Sequence, residues 1–135
     1  MHRIDKVLDG LVAVLDAALD IEVKRSVSYR SSASCLRVGQ GSENTLSEGA
    51  MTDADFELIL LQVVVDKSES LESIANDYRA QIHKALMSAQ GSIDGLVSIE
   101  RPQVEAADFN PEATVFQRRL TYNVKYRYNT LDPSL

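Results

Sequence analysis

The sequence predicts an α/β domain of the α+β kind: a mixed, largely antiparallel sheet with two amphipathic helices packed on it, in the order α-β-β-loop-β-α-β-β. Three patterns carry that prediction. Apolar residues recur at helical spacing from Ile4 to Leu19, an almost unbroken apolar run extends from Phe56 to Val65, and Phe116 to Tyr128 alternates between apolar and polar positions. With 135 residues, 44% of them hydrophobic, the chain has the size of one domain, residues 1–135, without internal repeat or linker.

In the first helix, Ile4, Val7, Leu8, Leu11, Val12, Leu15, Ala18 and Leu19 form one stripe. Gly10, Ala13 and Ala17 leave another part of its surface nearly flat, open to close approach by a second element. Ile21 to Tyr29 and Ser34 to Val38 are short and rich in β-branched residues, which predicts two strands joined by a polar turn around Arg30 to Ser32. The stretch Gly39 to Thr52 holds Gly, Ser, Glu, Asn and Thr without sustained periodicity, so a mobile loop is expected near 39–52. The run Phe56 to Val65 follows as a strand apolar on both faces. A second helix is expected from about Glu69 to Ala89, its stripe made by Leu71, Ile74, Ala75, Tyr78, Ile82, Ala85 and Leu86, with Ser68 or Ser70 as cap. Leu96 to Val104 is a strand that Pro102 confines to a sheet edge or a bulge, and Glu105 to Glu112 is a connection. The last strand alternates cleanly except for Arg118 on its apolar face, and Leu131 to Leu135 is expected to fray.

Catalytic chemistry finds no actor in this sequence. His2 and His83 are the only histidines, too few for the common zinc patterns, and Cys35 stands alone, so it closes no intrachain disulfide. His83 falls at the flank of the second helix's stripe, where a boundary position explains it. Gly39-Gln40-Gly41 is a bare Gly-x-Gly without a phosphate-binding context, and Asp53 and Asp55 read as turn chemistry more readily than as a metal site. No cofactor, metal or enzymatic activity is expected. A net charge of −6 argues against nucleic acid or an anionic membrane bound through the whole surface. No apolar run reaches the roughly 18 residues of a membrane span, and Asp5, Asp9 and Asp16 interrupt what would otherwise resemble a signal peptide.

What the sequence offers instead is binding surface. If both helices lie on one side of the sheet, the apolar positions facing the other way need cover from a neighbouring chain; helices on opposite faces would remove the need. Charge adds candidate protein-interaction residues. Asp5, Asp9, Asp16 and Asp20 form an acidic edge on the first helix, Glu43 and Glu48 lie in the expected loop, and Arg119, Lys125 and Arg127 make a basic row on the last strand. Acidic and basic rows could pair between subunits and set their register, or each could be an ordinary solvated face.

The opening helix Arg3 to Leu19, the apolar strand Phe56 to Val65, the helix end Ile82-His83-Lys84-Ala85-Leu86 and the closing Arg119-Leu120-Thr121-Tyr122-Asn123-Val124-Lys125-Tyr126-Arg127 together give a layout. It resembles that of the tail terminator, or tail completion, proteins of long-tailed bacteriophages, including the minor tail protein family typified by phage lambda. The resemblance covers most of the chain and rests on layout, not on a motif. It implies a structural virion protein that assembles in the bacterial cytoplasm into a homo-oligomeric ring, a hexamer, at the end of the virion tail. Its implied partners are other copies of itself, the tail tube protein and the head connector or neck protein, with DNA passing through the lumen without specific binding. The same layout would suit another head–tail joining protein, a small-ligand regulatory module or, last, an unrecognised enzyme.

Overall fold

The computed structural model describes residues 1–25, 33–66, 71–105, 108–110 and 114–135. The N-terminal stripe forms α1 (Arg3–Ala18), which buries Ile4, Val7, Leu8, Leu11 and Leu15. The first N–H groups of a helix have no partner within it. Here the Nδ1 atom of His2 accepts from the Ile4 amide at 3.0 Å and the Pro133 carbonyl accepts from the Arg3 amide at 2.6 Å.

A short strand, β1 (Glu22–Arg25), runs parallel to β2 (Cys35–Glu48), so these two elements are not the simple hairpin that their proximity in sequence predicts. Residues 26–29 and the expected turn at Arg30 to Ser32 lie outside the described residues. The expected mobile loop is instead a hairpin: β2 continues through Glu48, and β3 (Met51–Val65) pairs antiparallel with it from Glu48↔Met51 to Cys35↔Val63, with an irregularity between Gln40 and Glu43. Only Gly49 and Ala50 connect the two strands. Gly49 has φ +66°, the left-handed conformation that a two-residue hairpin loop places on glycine.

After β3 come α2 (Leu71–Ser88) and a single 3₁₀ turn (Ala89–Gly91); the expected caps Ser68 and Ser70 lie outside the described residues. β4 (Leu96–Val104), β5 (Asp108–Asn110) and β6 (Val115–Asn129) complete the chain. β5 occupies part of the stretch expected to be only a connection. The strand order is β1-β2-β3-β6-β4, with β5 also paired to β6. β3 and β6 form the centre of the sheet, an uninterrupted ladder from Met51↔Asn129 to Val65↔Val115. β4 lies at the edge, and its register slips between Glu100 and Gln103, around Arg101 (φ 58°) and Pro102. That is the edge and bulge expected of a residue lacking the ladder donor.

Both helices pack on one face of this sheet. The core joins the buried stripes of α1 and α2 to Ala54, Phe56, Leu58 and Leu60 of β3 and Leu120, Tyr122, Val124 and Tyr126 of β6. All of these strand positions are even-numbered, so they share a face. The helices run antiparallel, with Tyr78 beside Asp20 and Ile93, beyond α2, beside Gly10. A Cβ at Gly10 would lie 3.2 Å from three atoms of Ile93, so the flat part of α1 is filled within the chain at that point.

The tail, expected to fray, folds back in hydrogen-bonded turns. Asn129 Oδ1 accepts from the amides of Leu131 and Asp132, Asp132 Oδ1 accepts from Ser134, and the Asn129 amide donates to the Leu135 carbonyl. Polar residues that looked like a loose end supply their own turn chemistry.

Candidate assembly interface

Because α1 and α2 share one side, no helix among the described residues lies over the other side of the sheet. Odd-numbered residues of β3 and β6 face it, in cross-strand pairs Asp53–Arg127, Asp55–Lys125, Glu57–Asn123, Ile59–Thr121, Leu61–Arg119, Val63–Gln117 and Val65–Val115. One end of the face is apolar and the other charged. Ile59, Leu61, Val65 and Val115 are only partly buried, whereas Val63 is fully covered.

The basic row lies on this open face, and each member has an acidic neighbour in its own chain. Arg127 Nε is 2.6 Å from Asp53, Lys125 Nζ 2.8 Å from Glu100, and Arg119 3.9 Å from Glu105. Hydrogen bonding to Lys125 and its charge hold the Glu100 carboxyl below the usual range, and Asp53 likewise raises Arg127. Arg37, on β2 beside Leu61, reaches Glu22 at 3.3 Å. The face is thus a checkerboard of compensated charges bordering an apolar end.

The acidic edge lies elsewhere, on the helix layer. Asp5 and Asp9 each accept from Arg25 at 3.1 Å; against partial burial, which lowers it, these bonds and charges raise the Arg25 guanidinium above its ordinary value. Asp20 accepts from the Tyr78 hydroxyl at 2.8 Å, and burial followed by that bond pushes the Tyr78 phenol up to about 12. Asp16 is exposed. Within one chain the acidic edge and the basic row do not meet. Glu43 accepts from the Tyr126 hydroxyl at 3.2 Å, and Glu48 is exposed at the end of the hairpin.

Sequence reasoning missed a groove of about 540 Å³ between α2 and the sheet edge, lined by residues that include Arg79 and His83 of α2, Pro102 and Val104 of β4, and Leu120 and Tyr122 of β6. Its only sequence signal is the four-residue spacing of Arg79 and His83 on the flank of the α2 stripe. His83 Nδ1 lies 3.1 Å from the Tyr122 hydroxyl and its ring stacks on that of Tyr122. His2 caps α1, and Cys35 is buried on β2.

Among the described residues, no group of three or more His, Cys, Asp or Glu side chains is arranged to hold a metal ion, and no helix is long and apolar enough to cross a membrane. No protein-family model and no curated protein matches the chain. Among solved structures, a chain described as "Virion of native gene transfer agent (GTA) particle" is similar in fold, with a TM-score of 0.55 at 14% identity over 93% of this chain and 92% of that one.

Proposed function

We propose that this chain is a structural virion protein, not an enzyme, and that it forms a ring at the end of a tail tube, stops the tube's growth and presents the surface to which the head is joined. One observation carries the reading: both helices cover the same side of the sheet, leaving a face where partly buried Ile59, Leu61, Val65 and Val115 border a grid of charges. Such a face suits burial by another subunit, since apolar surface supplies affinity while arranged charges select partner and register. The fold shared with a chain of the GTA virion, end to end along both chains, supports a virion role.

The mechanism is geometric. A single heterologous contact repeated by rotation closes a ring and fixes its copy number, here taken as six. One rim then meets the tube protein and the other the head connector. In the virion, Asp5, Asp9, Asp16, Asp20, Glu43 and Glu48 and the basic row of Arg119, Lys125 and Arg127 line contacts between chains. The net charge of −6 lets DNA pass through the lumen without adhering. Assembly takes place in the bacterial cytoplasm and ends in the virion tail.

Light scattering over a concentration series, with and without isolated tail tubes, tests the proposal. Rings that form in solution or on tube ends, and tubes that no longer elongate once capped, are expected. A chain that remains monomeric and ignores tube ends would refute it. A ring that joins heads to finished tails without halting elongation would favour a different head–tail joining role.

A further inference from the structure

The α2–β4 groove and the β2–β3 hairpin tip are complementary in charge and in apolar surface. Among the described residues no carboxylate lines the groove, although the chain has 20 acidic residues against 14 basic ones. Instead Arg79 and His83 form its helical wall above Pro102, Val104 and Leu120. The charge of Arg79 reaches both Tyr122 and Arg118, opposed at Arg118 by Glu72, and Arg118 behind the groove donates to neutral acceptors, so the groove wall itself presents basic side chains.

The hairpin tip carries the matching set. Leu46, Glu48 and Met51 project from one side of it, since Glu48 pairs with Met51 and Leu46 with Asp53 of the open face. Leu46 is 61% and Met51 39% exposed, large apolar side chains flanking the exposed carboxylate of Glu48, whose charge reaches Arg127 of its own chain. The two-residue loop keeps the tip narrow. The tip cannot fill the groove of its own chain. It lies beside Tyr128 and Asn129 whereas the groove lies at Leu120 and Tyr122, which separates them by roughly 20–30 Å at strand rise.

We infer that the hairpin tip of one copy docks in the α2–β4 groove of the next, with Glu48 between Arg79 and His83 and with Leu46 and Met51 against Pro102, Val104 and Leu120. Because tip and groove are different surfaces, the contact is heterologous and propagates by rotation, as ring closure requires. This rests on the ring reading above and names its subunit contact.

Charge reversal tests it on the full chain. Glu48→Arg and Arg79→Glu alone each raise the concentration for half-assembly by about ten-fold or more, in solution or on tube ends, and the double variant returns it toward wild type. Both positions are exposed, so melting temperatures stay unchanged and folding is not the cause. In a second arm, Glu48→Cys and His83→Cys in one chain give disulfide-linked multimers of this chain under oxidation. Single variants that assemble normally, a double variant without rescue, or cross-links from His83→Cys to the tube protein overturn the contact while leaving the ring intact. Wild-type chain that never assembles in solution or on tubes overturns both the contact and the terminator reading.

Discussion

Arg118 breaks the apolar alternation of β6, and the physical reason for tolerating it lies across the sheet. Burying a guanidinium costs several kcal/mol unless its donors are satisfied. Arg118 is 7% exposed and donates from Nε and one terminal nitrogen to Gln62 Oε1 at 3.1 and 3.0 Å, to Asn76 Oδ1 at 3.0 Å and to the Ala75 carbonyl at 3.0 Å. Gln62 Nε2 in turn donates to the same carbonyl at 2.7 Å, which ties α2 to the two central strands. The guanidinium also lies 5.2 Å from the Phe116 ring centre. Removing Gln62 alone leaves the buried cation with only Asn76 and the Ala75 carbonyl among these acceptors, so Gln62→Leu is expected to cost about 2–3 kcal/mol in urea unfolding. Arg118→Met takes the donors from the buried Gln62 oxygen and from the exposed Asn76 oxygen and costs about 1–3 kcal/mol. The double variant recovers part of the loss, and strictly additive costs would show that the two side chains do not act together. Alternation along β6 exposes Arg118 as an anomaly in the bare sequence. Its partner cannot be read there, because Gln62 is 56 positions away and becomes a neighbour only once β3 lies beside β6.

The elements most legible in the sequence are those whose own residues set the period. The α1 stripe, the α2 stripe and β6 each bury the predicted side, because a helix or strand covered on one face writes its burial into three-to-four or two-residue spacing. β2 is the counterexample. From Gly39 to Glu48 it has no apolar alternation, since its outer half projects beyond the helices and is held by backbone bonds to β3 rather than by a core. A strand stabilised by a distant ladder looks like a loop in its own residues. The tail was obscure for a similar reason: the groups it serves are at the other end of the chain. Pro133 and Ser134 carbonyls accept from the Arg3 amide and Lys6 Nζ, each at 2.6 Å, completing the start of α1. Deleting residues 131–135 is therefore expected to lower stability by about 1–2 kcal/mol and to speed hydrogen exchange in the first turn of α1 before any effect reaches β3 or β6. Unchanged exchange at Arg3 to Asp5 would show that the tail does not hold the helix.

At the scale of the molecule, the candidate interface was half legible. The basic row was visible as polar positions of an alternating strand, but its neighbours Asp53, Glu100 and Glu105 depend on the order β3-β6-β4, which no local pattern encodes. Those ion pairs change what the row can do. An Arg127 already held by Asp53 offers a partner little net charge, so the open face must recognise through its pattern of charges and its apolar end, not through bulk attraction. Lys125 tests this most directly, because it lies between Glu100 and Asp55 on the face itself. Lys125→Glu would set three carboxylates side by side. The ion pair is exposed, with side chains 42% and 41% accessible, so the fold should lose no more than about 1 kcal/mol. Burial of the same face by a neighbouring chain would make the reversal far costlier, since unpaired like charges would then be desolvated. The variant is accordingly expected to fold with a near-normal melting temperature and to fail in at least one of ring formation, tube-end capping or head joining. Lys125→Gln, which removes the charge without reversing it, should give an intermediate defect. A folded Lys125→Glu chain that performs all three steps at wild-type yield would show that the open face remains in water throughout assembly.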